Sequence, residues 1–512
     1  MDRHRGQASA AGVVAGVAAL ASSYAVAMVL TSAAAPFVRT VVALAGLIPM
    51  GAREHVLAIL GGADTWVVGL LLAVAYAALA AWSGRLRAQR GWAALLLWLL
   101  VWALLALAGL AEEDPAVKDV LPVVAGVVAA VAVLEIFQYV PPAALPGAGS
   151  AGTDAPSRRG FVVASAAVLV ASAAAAGLGG VIGAARRSVA ERRLLVRLEG
   201  LTRPRVPPRA DLGVAGVAPW QTPTEDFFVH HRGFAPPTVD PAEWRLRIHG
   251  LVEREVLLSY QDLLARGISE SWSTLVCERN EVGGDQVGNA WWSGVRTSEV
   301  LREAQLDPRA DCVVQTGVDG WRCATPLEAL MDERDSLLVL GMNGRPLTIE
   351  HGFPVRTMVP GLFGHVSATK WVRDLEVTTY DALSAEDFDD GWSLRGPIRS
   401  ASRIDVPQSG ATANPGRVSV GGVAWTPMAA VARVEVSLDG GPWAIATLGE
   451  TAGPQSWVQW HHEFDLLPGE HVLVVRATDE EGLTQTSVQR DPQPDGATGW
   501  HRVEFDVAPP AD

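Results

Sequence analysis

Apolar residues run almost unbroken through the first third of the chain and then recur in short, alternating segments, and this change of pattern divides the molecule. Five apolar runs, residues 12–35, 65–82, 92–111, 120–140 and 161–185, are each long enough at helical rise to cross about 30 Å of hydrocarbon. Residues 38–59 are also apolar, but Pro49 interrupts them and Arg39, Arg53, Glu54 and His55 lie among them, so they read as an interfacial or re-entrant stretch. Residues 186–217, rich in arginine and then in Pro204, Pro207 and Pro208, read as an extended stalk. Beyond it, Trp244, Leu246 and Ile248 alternate with Arg245, Arg247 and His249, which predicts a strand within 243–252. Short helices are expected at 260–264 and 297–304, a strand at 272–276 and a hairpin from 311–316 and 321–325, a mixture that suits an α+β domain. From residue 403 onward, strands at 416–423, 431–438, 457–464 and 471–479 alternate with glycine- and proline-rich turns, the spacing of an all-β sandwich. The expected organisation is a multi-domain chain: an N-terminal transmembrane α-helical bundle over 1–185, a linker over 186–217, an α+β domain over 218–398 and a β-sandwich over 399–512.

Charge orients the apolar third. Arg3 and Arg5 precede the first run, Arg85, Arg87 and Arg90 follow the second, and Arg158 and Arg159 precede the fifth, so five spans put all of them on one side. Glu112, Glu113 and Asp114 then fall on the other. The positive-inside rule places the N-terminus in the cytoplasm and the C-terminal two-thirds on the extracytoplasmic side of the cell membrane, with Arg186 and Arg187 running against it. Glu135 lies inside a span but near its end, where a carboxylate is expected to snorkel toward water.

Composition excludes several classes. A net charge of −14, from 41 Lys and Arg against 55 Asp and Glu, argues against a nucleic-acid partner, and no basic patch interleaved with aromatics occurs. The three cysteines, Cys277, Cys312 and Cys323, are too few and wrongly spaced for a disulfide scaffold, a zinc ribbon or a Cys-x-x-Cys-His haem attachment. With no histidine in the apolar runs, no haem is expected at all. Cys312 and Cys323 either pair across the expected hairpin or remain two buried thiols.

Cys277 ends a β-type run and enters a polar, glycine-rich loop, Glu278-Arg279-Asn280-Glu281-Val282-Gly283-Gly284-Asp285. A lone thiolate suits a sulfur-loving metal whose other ligands come from a cofactor; it equally suits a buried structural cysteine. On spacing alone both readings stand.

Longer motifs favour the first. Cys277-x-x-Asn280, Gly283-Gly284-Asp285, Gly288-Asn289-Ala290-x-Trp292-x-Gly294-Val295, His351-Gly352-Phe353-Pro354-Val355-Arg356, Pro360-Gly361 and Lys370-Trp371 occur in order, and together they resemble the sulfite oxidase family of molybdopterin-dependent oxidoreductases. The resemblance runs from about Thr222 to Val507. It implies a sulfite oxidase fold for the α+β domain, an immunoglobulin-like β-sandwich associated with dimerisation after it, and a molybdenum cofactor with one pterin per metal. Cys277 would be the metal ligand. Phe228, His230, His231, Asp319, His351, Arg356, Ala368, Thr369 and Lys370 would hold the pterin, whose phosphate asks for fixed cations and close backbone amides. Asp319 also sits in an Asp-Gly turn that a hairpin requires anyway. Arg279 and His365 would face the reacting centre.

Sulfite-specific members of that family carry an arginine directly after the Cys-x-x-Asn motif. Glu281 stands there in this chain and His365 replaces another arginine, so a small substrate other than sulfite is expected. Ser157-Arg158-Arg159-Gly160-Phe161-Val162 resembles a twin-arginine export sequence, the route of proteins folded around their cofactor. The expected function is oxygen-atom transfer with a separate electron carrier, a quinone or a cytochrome. Its rivals are a quinol-linked sulfoxide reductase of the same fold and a cofactor-free membrane receptor that binds protein through its sandwich; a homodimer is a further implication.

Overall fold

A computed structural model describes residues 2–30, 36–38, 40–41, 64–110, 117–139, 158–230, 236–384 and 391–509. The chain forms two compact units, residues 1–188 and 189–512. Little of the 38–59 stretch lies within the described residues, and Glu112, Glu113, Asp114 and His231 lie outside them.

In the first unit the apolar runs are helices: Asp2–Leu30, Asp64–Gln89, Gly91–Leu110, Val117–Tyr139 and Arg158–Leu195. Four contain stretches long and apolar enough to cross a membrane, Gly6–Leu30, Gly69–Arg87, Val120–Phe137 and Arg159–Leu195; the corresponding described stretch of the other, Trp92–Leu105, is shorter. Ala15, Ala19, Tyr76, Ala80, Trp98, Trp102 and Ala130 share one buried cluster. Small residues bring backbones together there, since a Cβ on Gly12 or Gly84 would strike the carbonyl of Ala80 or Ala8. Glu135 does not simply snorkel: its carboxylate meets the Arg87 guanidinium at 2.5 Å, pairing the ends of two helices. Arg186, which runs against the charge rule, donates to the carbonyl of Val29 at 2.8 Å, where a cation complements the C-terminal end of the first helix.

The expected stalk is not one. Residues 186–195 are the end of the Arg158–Leu195 helix, and the first helix-breaking residues beyond it are Gly200, at φ +76°, and Pro204. The chain after it lies on the C-terminal strands, its backbone groups taken up by side chains: Leu212 N–H donates to Gln459 Oε1, Ala218 N–H to Asp405 Oδ2, and the Ala218 carbonyl accepts from Gln459 Nε2. Proline removes donors from this segment and the side-chain amide replaces the missing ladder.

The second unit begins with two sheets. In the first, Arg245–Gly250 lies between Val256–Ser259 and Val372–Thr378, and Val372–Thr378 continues to the hairpin of Cys312–Gly317 and Arg322–Pro326. In the second, Ser269–Val276 pairs with Val287–Arg296, which pairs with Leu337–Met342; Arg345–Pro346 and Arg356–Met358 also pair with Leu337–Met342. Both contribute to one core around Leu246, Ile248, Trp292, Val339 and Leu375. The hairpin register sets Gln315 opposite Cys323 and Cys312 opposite Pro326, so the two cysteines do not face each other, and both are buried free thiols.

The C-terminal region is β-rich. One sheet runs Ala401–Val406, Gly416–Trp425, Val458–Leu466 and Thr447–Leu448; the other runs Thr412–Ala413, His501–Val507, Gly469–Asp479, Val431–Leu438 and Ala444–Ile445. Val420, Trp460, Val436, Val475 and Phe505 from the two sheets share a core. A second cluster, Trp220, Trp272, Trp291, Trp425 and Trp457, joins these sheets to the strand that leads to Cys277.

Candidate active site

Cys277 follows directly on Ser269–Val276, and Leu275, two residues earlier, shares its face by the strand's period of two. The loop is closed by backbone and by one side chain. Cys277 N–H donates to the Gln286 carbonyl at 2.9 Å, Asn280 N–H donates to the Cys277 carbonyl at 3.1 Å, and Gln286 N–H donates to Asn280 Oδ1 at 2.9 Å. Glycine is required at 283, where φ is +80° and a Cβ would enter the His501 ring.

A cleft of about 660 Å³ opens beside the sulfur, lined by Phe228, His230, Leu275, Cys277, Glu278, Asp319, Trp321, His351, Arg356, Gly364, His365, Ala368 and Lys370. The fold brings these together from far apart. Arg356 comes from the short strand Arg356–Met358, His365 from the single-turn helix Gly364–Ser367, and Asp319 from the hairpin turn, where its Oδ1 also accepts from Trp321 N–H at 3.1 Å. Phe227 stacks on Phe228 and stands edge-on to His351 and Trp292. Gly288 makes room for it, since a Cβ there would lie 2.6 Å from the Phe227 ring.

One end of the cleft is cationic. Arg356 is buried, its guanidinium 5.2 Å above the Trp292 ring and no nearer than 3.4 Å to the carbonyls of Thr357, His351 and Ala368. Lys370 Nζ donates to the Glu350 carbonyl at 3.1 Å. Neither makes an ion pair among the described residues. Burial brings Arg356 down to about 10, and burial together with the Arg356 charge brings Lys370 down to about 7. His351, whose Nε2 meets the Thr224 carbonyl at 2.9 Å, is pushed by burial to about 4 and stays neutral.

The other end is acidic. The Glu278 side chain is 6% exposed, with Oε2 3.6 Å from Cys277 Sγ and 3.8 Å from His365 Nδ1. Burial, and next the Glu278 charge, push the Cys277 thiol up to about 12. The protein by itself therefore disfavours a thiolate, whereas a bound metal cation would reverse that balance.

Three expected residues lie elsewhere. Arg279 does not line the cleft: its half-exposed side chain points out over Trp392, 5.7 Å from the ring centroid, with Nε 3.8 Å from Glu278 Oε1. Thr369 is turned behind the wall, its hydroxyl 3.2 Å from Cys323 Sγ and its N–H on Thr357 Oγ1. Glu281, expected near the substrate, is exposed and faces a different hollow. Glu278, Trp321 and Leu275 are the lining residues that sequence reasoning missed. Leu275 carried a signal in its spacing from Cys277, and Trp321 one in its place beside the Asp319 turn. Glu278 carried none, because the turn from Cys277 to Asn280 breaks the strand's alternation and buries two successive side chains.

The family model for the oxidoreductase molybdopterin binding domain matches residues 233–385. YuiH of Bacillus subtilis (strain 168), an uncharacterized oxidoreductase, is 36% identical over 162 residues, which cover 32% of this chain and 79% of that one. Human mitochondrial sulfite oxidase is 32% identical over 351 residues, covering 56% of this chain and 62% of that protein, so the chain spans less than two thirds of this longer relative. Among solved structures, the sulfane dehydrogenase SoxCD from Paracoccus pantotrophus matches with a TM-score of 0.51 at 25% identity, over 60% of this chain and 87% of its own.

Proposed function

The chain belongs to the sulfite oxidase family of molybdopterin-dependent oxidoreductases, and on that premise we propose that it is a membrane-anchored, extracytoplasmic enzyme that transfers an oxygen atom to or from a small substrate other than sulfite. The observation that carries the reading is one cleft lined by the buried Cys277 thiol, the buried Arg356 and the half-buried Lys370, the two cations making no ion pair among the described residues. Buried charge without a partner is costly, so Arg356 and Lys370 ask for an anion. A pterin phosphate supplies one, and the donor set fits: Arg356 and Lys370 hold the anion, Phe228 and His351 flank the ring system, and Cys277 ligates the metal.

When bound, the cofactor supplies two-electron redox chemistry at molybdenum. The protein's own part is to keep Cys277 fixed through the Asn280 turn, to exclude water behind Leu275 and Trp321, and to set the charge of the substrate's surroundings. There Glu278 opposes an anion, which disfavours sulfite. The five apolar helices anchor the catalytic unit, the Arg158-Arg159 pair serves export, and the C-terminal region is an immunoglobulin-like sandwich available for homodimerisation. With no haem attachment sequence in the chain, electrons pass to or from a separate carrier, a quinone or a cytochrome.

The test is a purified, membrane-extracted holoprotein assayed with artificial electron carriers against sulfite, small sulfoxides and N-oxides. Turnover of a neutral or cationic compound well above that of sulfite is expected, and sulfite as the preferred substrate would overturn the reading.

A further inference from the structure

Glu278 and His365 are two hydrogen-bond acceptors held side by side with too few donors. His365 Nε2 lies 2.9 Å from the Ser393 carbonyl, which can only accept, so Nε2 carries the hydrogen and Nδ1 presents a lone pair. Burial lowers the pKa of His365, against the opposing pull of the Ser393 carbonyl and the Glu278 charge. Its side chain is 8% exposed, and Nδ1 is buried with no hydrogen-bond partner. Glu278 Oε2, another acceptor, lies 3.8 Å from it. Among the described residues that oxygen accepts from one donor, the Cys277 thiol at 3.6 Å. A thiolate that ligates a metal has no hydrogen left to give. The other oxygen, Oε1, is 3.8 Å from Arg279 Nε, beyond hydrogen-bond reach. Both groups line the cleft, as do Leu275 and Trp321. Buried acceptors left without donors are unfavourable, and a ligand that brings donors removes the penalty.

We propose that Glu278 and His365 are the specificity-determining pair of the substrate pocket, and that they select a small cationic substrate carrying N–H donors beside its reacting atom. The proposal rests on the assignment of Cys277 as the metal ligand, which is what strips Glu278 of its donor. A carboxylate beside an imidazole lone pair rewards an ammonium group twice, through charge and through its hydrogens. An oxyanion meets acceptors only, and such mispairing discriminates strongly.

The test uses the purified holoprotein and three probes, with binding read from tryptophan fluorescence. Methylammonium has charge and N–H donors, tetramethylammonium has charge without donors, and sulfate is a dianion. Saturable binding of methylammonium is expected, at least tenfold tighter than tetramethylammonium, with no sulfate binding in the same range. Glu278→Gln, which keeps the shape but loses the charge, should weaken methylammonium at least tenfold, and His365→Phe should weaken it severalfold. If Glu278→Gln fails to fold, His365→Phe decides. Equal binding of the two cations, tighter sulfate, or methylammonium binding unchanged by the variants overturns the proposal. Molybdenum measured on the same samples separates the failures: a metal-free chain brings down the functional reading and this pair with it, whereas a metal-loaded chain without the preference refutes the pair alone.

Discussion

The Arg356 guanidinium and the Lys370 ammonium share one cleft in which no carboxylate among the described residues closes an ion pair with either, and the Arg356 charge lowers the tendency of Lys370 to hold its proton. A site built only to stabilise the fold would not place like charges together out of water.

The pH dependence of the cofactor-free chain follows from Lys370. Its folded value, about 7, lies below the ordinary 10.5, so above pH 7 the unfolded chain binds more protons and stability rises with pH. The three thiols, all raised by burial, oppose this only as pH approaches their ordinary value of 9.0. Thermal denaturation between pH 7 and 8.5 should therefore show a rising midpoint in the cofactor-free chain. Lys370→Met should flatten it, and a slope that survives this substitution would contradict the assignment.

Gly288→Ala tests how the aromatic wall is seated. A Cβ 2.6 Å from the Phe227 ring forces that ring toward Phe228 and His351, and overpacking of this kind costs about 1–3 kcal/mol. Chemical denaturation should show that loss, with cofactor retention reduced alongside it.

Asn280 holds the loop that carries Cys277. Asn280→Ala leaves the part-buried Gln286 N–H without its acceptor, a loss of about 1 kcal/mol, whereas Asn280→Asp keeps an acceptor oxygen and should recover most of it. Comparing the two by denaturation separates the turn from any effect on the metal.

In the membrane unit, Arg87 and Glu135 are expected to be coupled. Their side chains are 22% and 39% exposed, so Arg87→Leu alone should lose less than the roughly 3–5 kcal/mol of a fully buried pair. The Arg87→Leu, Glu135→Leu double variant should be more stable in detergent than either single one, since no charge is then stranded. Strict additivity of the two losses would rule the pair out as an energetic unit.

Much of this fold could be read along the chain. Strand 431–438 and helix 260–264 were legible to the residue, because alternation and the Ser259 cap, with Asp262 completing its box, are local signals. The chain from 196 to 220 was not, because its prolines look like a free stalk until Gln459 and Asp405, some two hundred residues later, take up its backbone groups. Strand Val287–Arg296 was hidden for a related reason: buried on both faces, it lacks the alternation that marks a half-exposed strand. In the site, motif order located Cys277, Arg356 and Lys370, and the resemblance pointed to His365, while Glu278 stayed invisible. Glu278 acquires its place from the loop's turn, and His365 from a one-turn helix whose partner, Ser393, is remote in sequence.

Molybdenum content is the measurement on which the account depends most directly. The chain purified from membranes should carry about one molybdenum per Cys277, as a single-thiolate site requires. Cys277→Ser should lose the metal while keeping the wild-type denaturation profile of the cofactor-free chain. A folded, membrane-inserted wild-type chain without molybdenum, or a Cys277→Ser variant that retains it in full, would contradict the account.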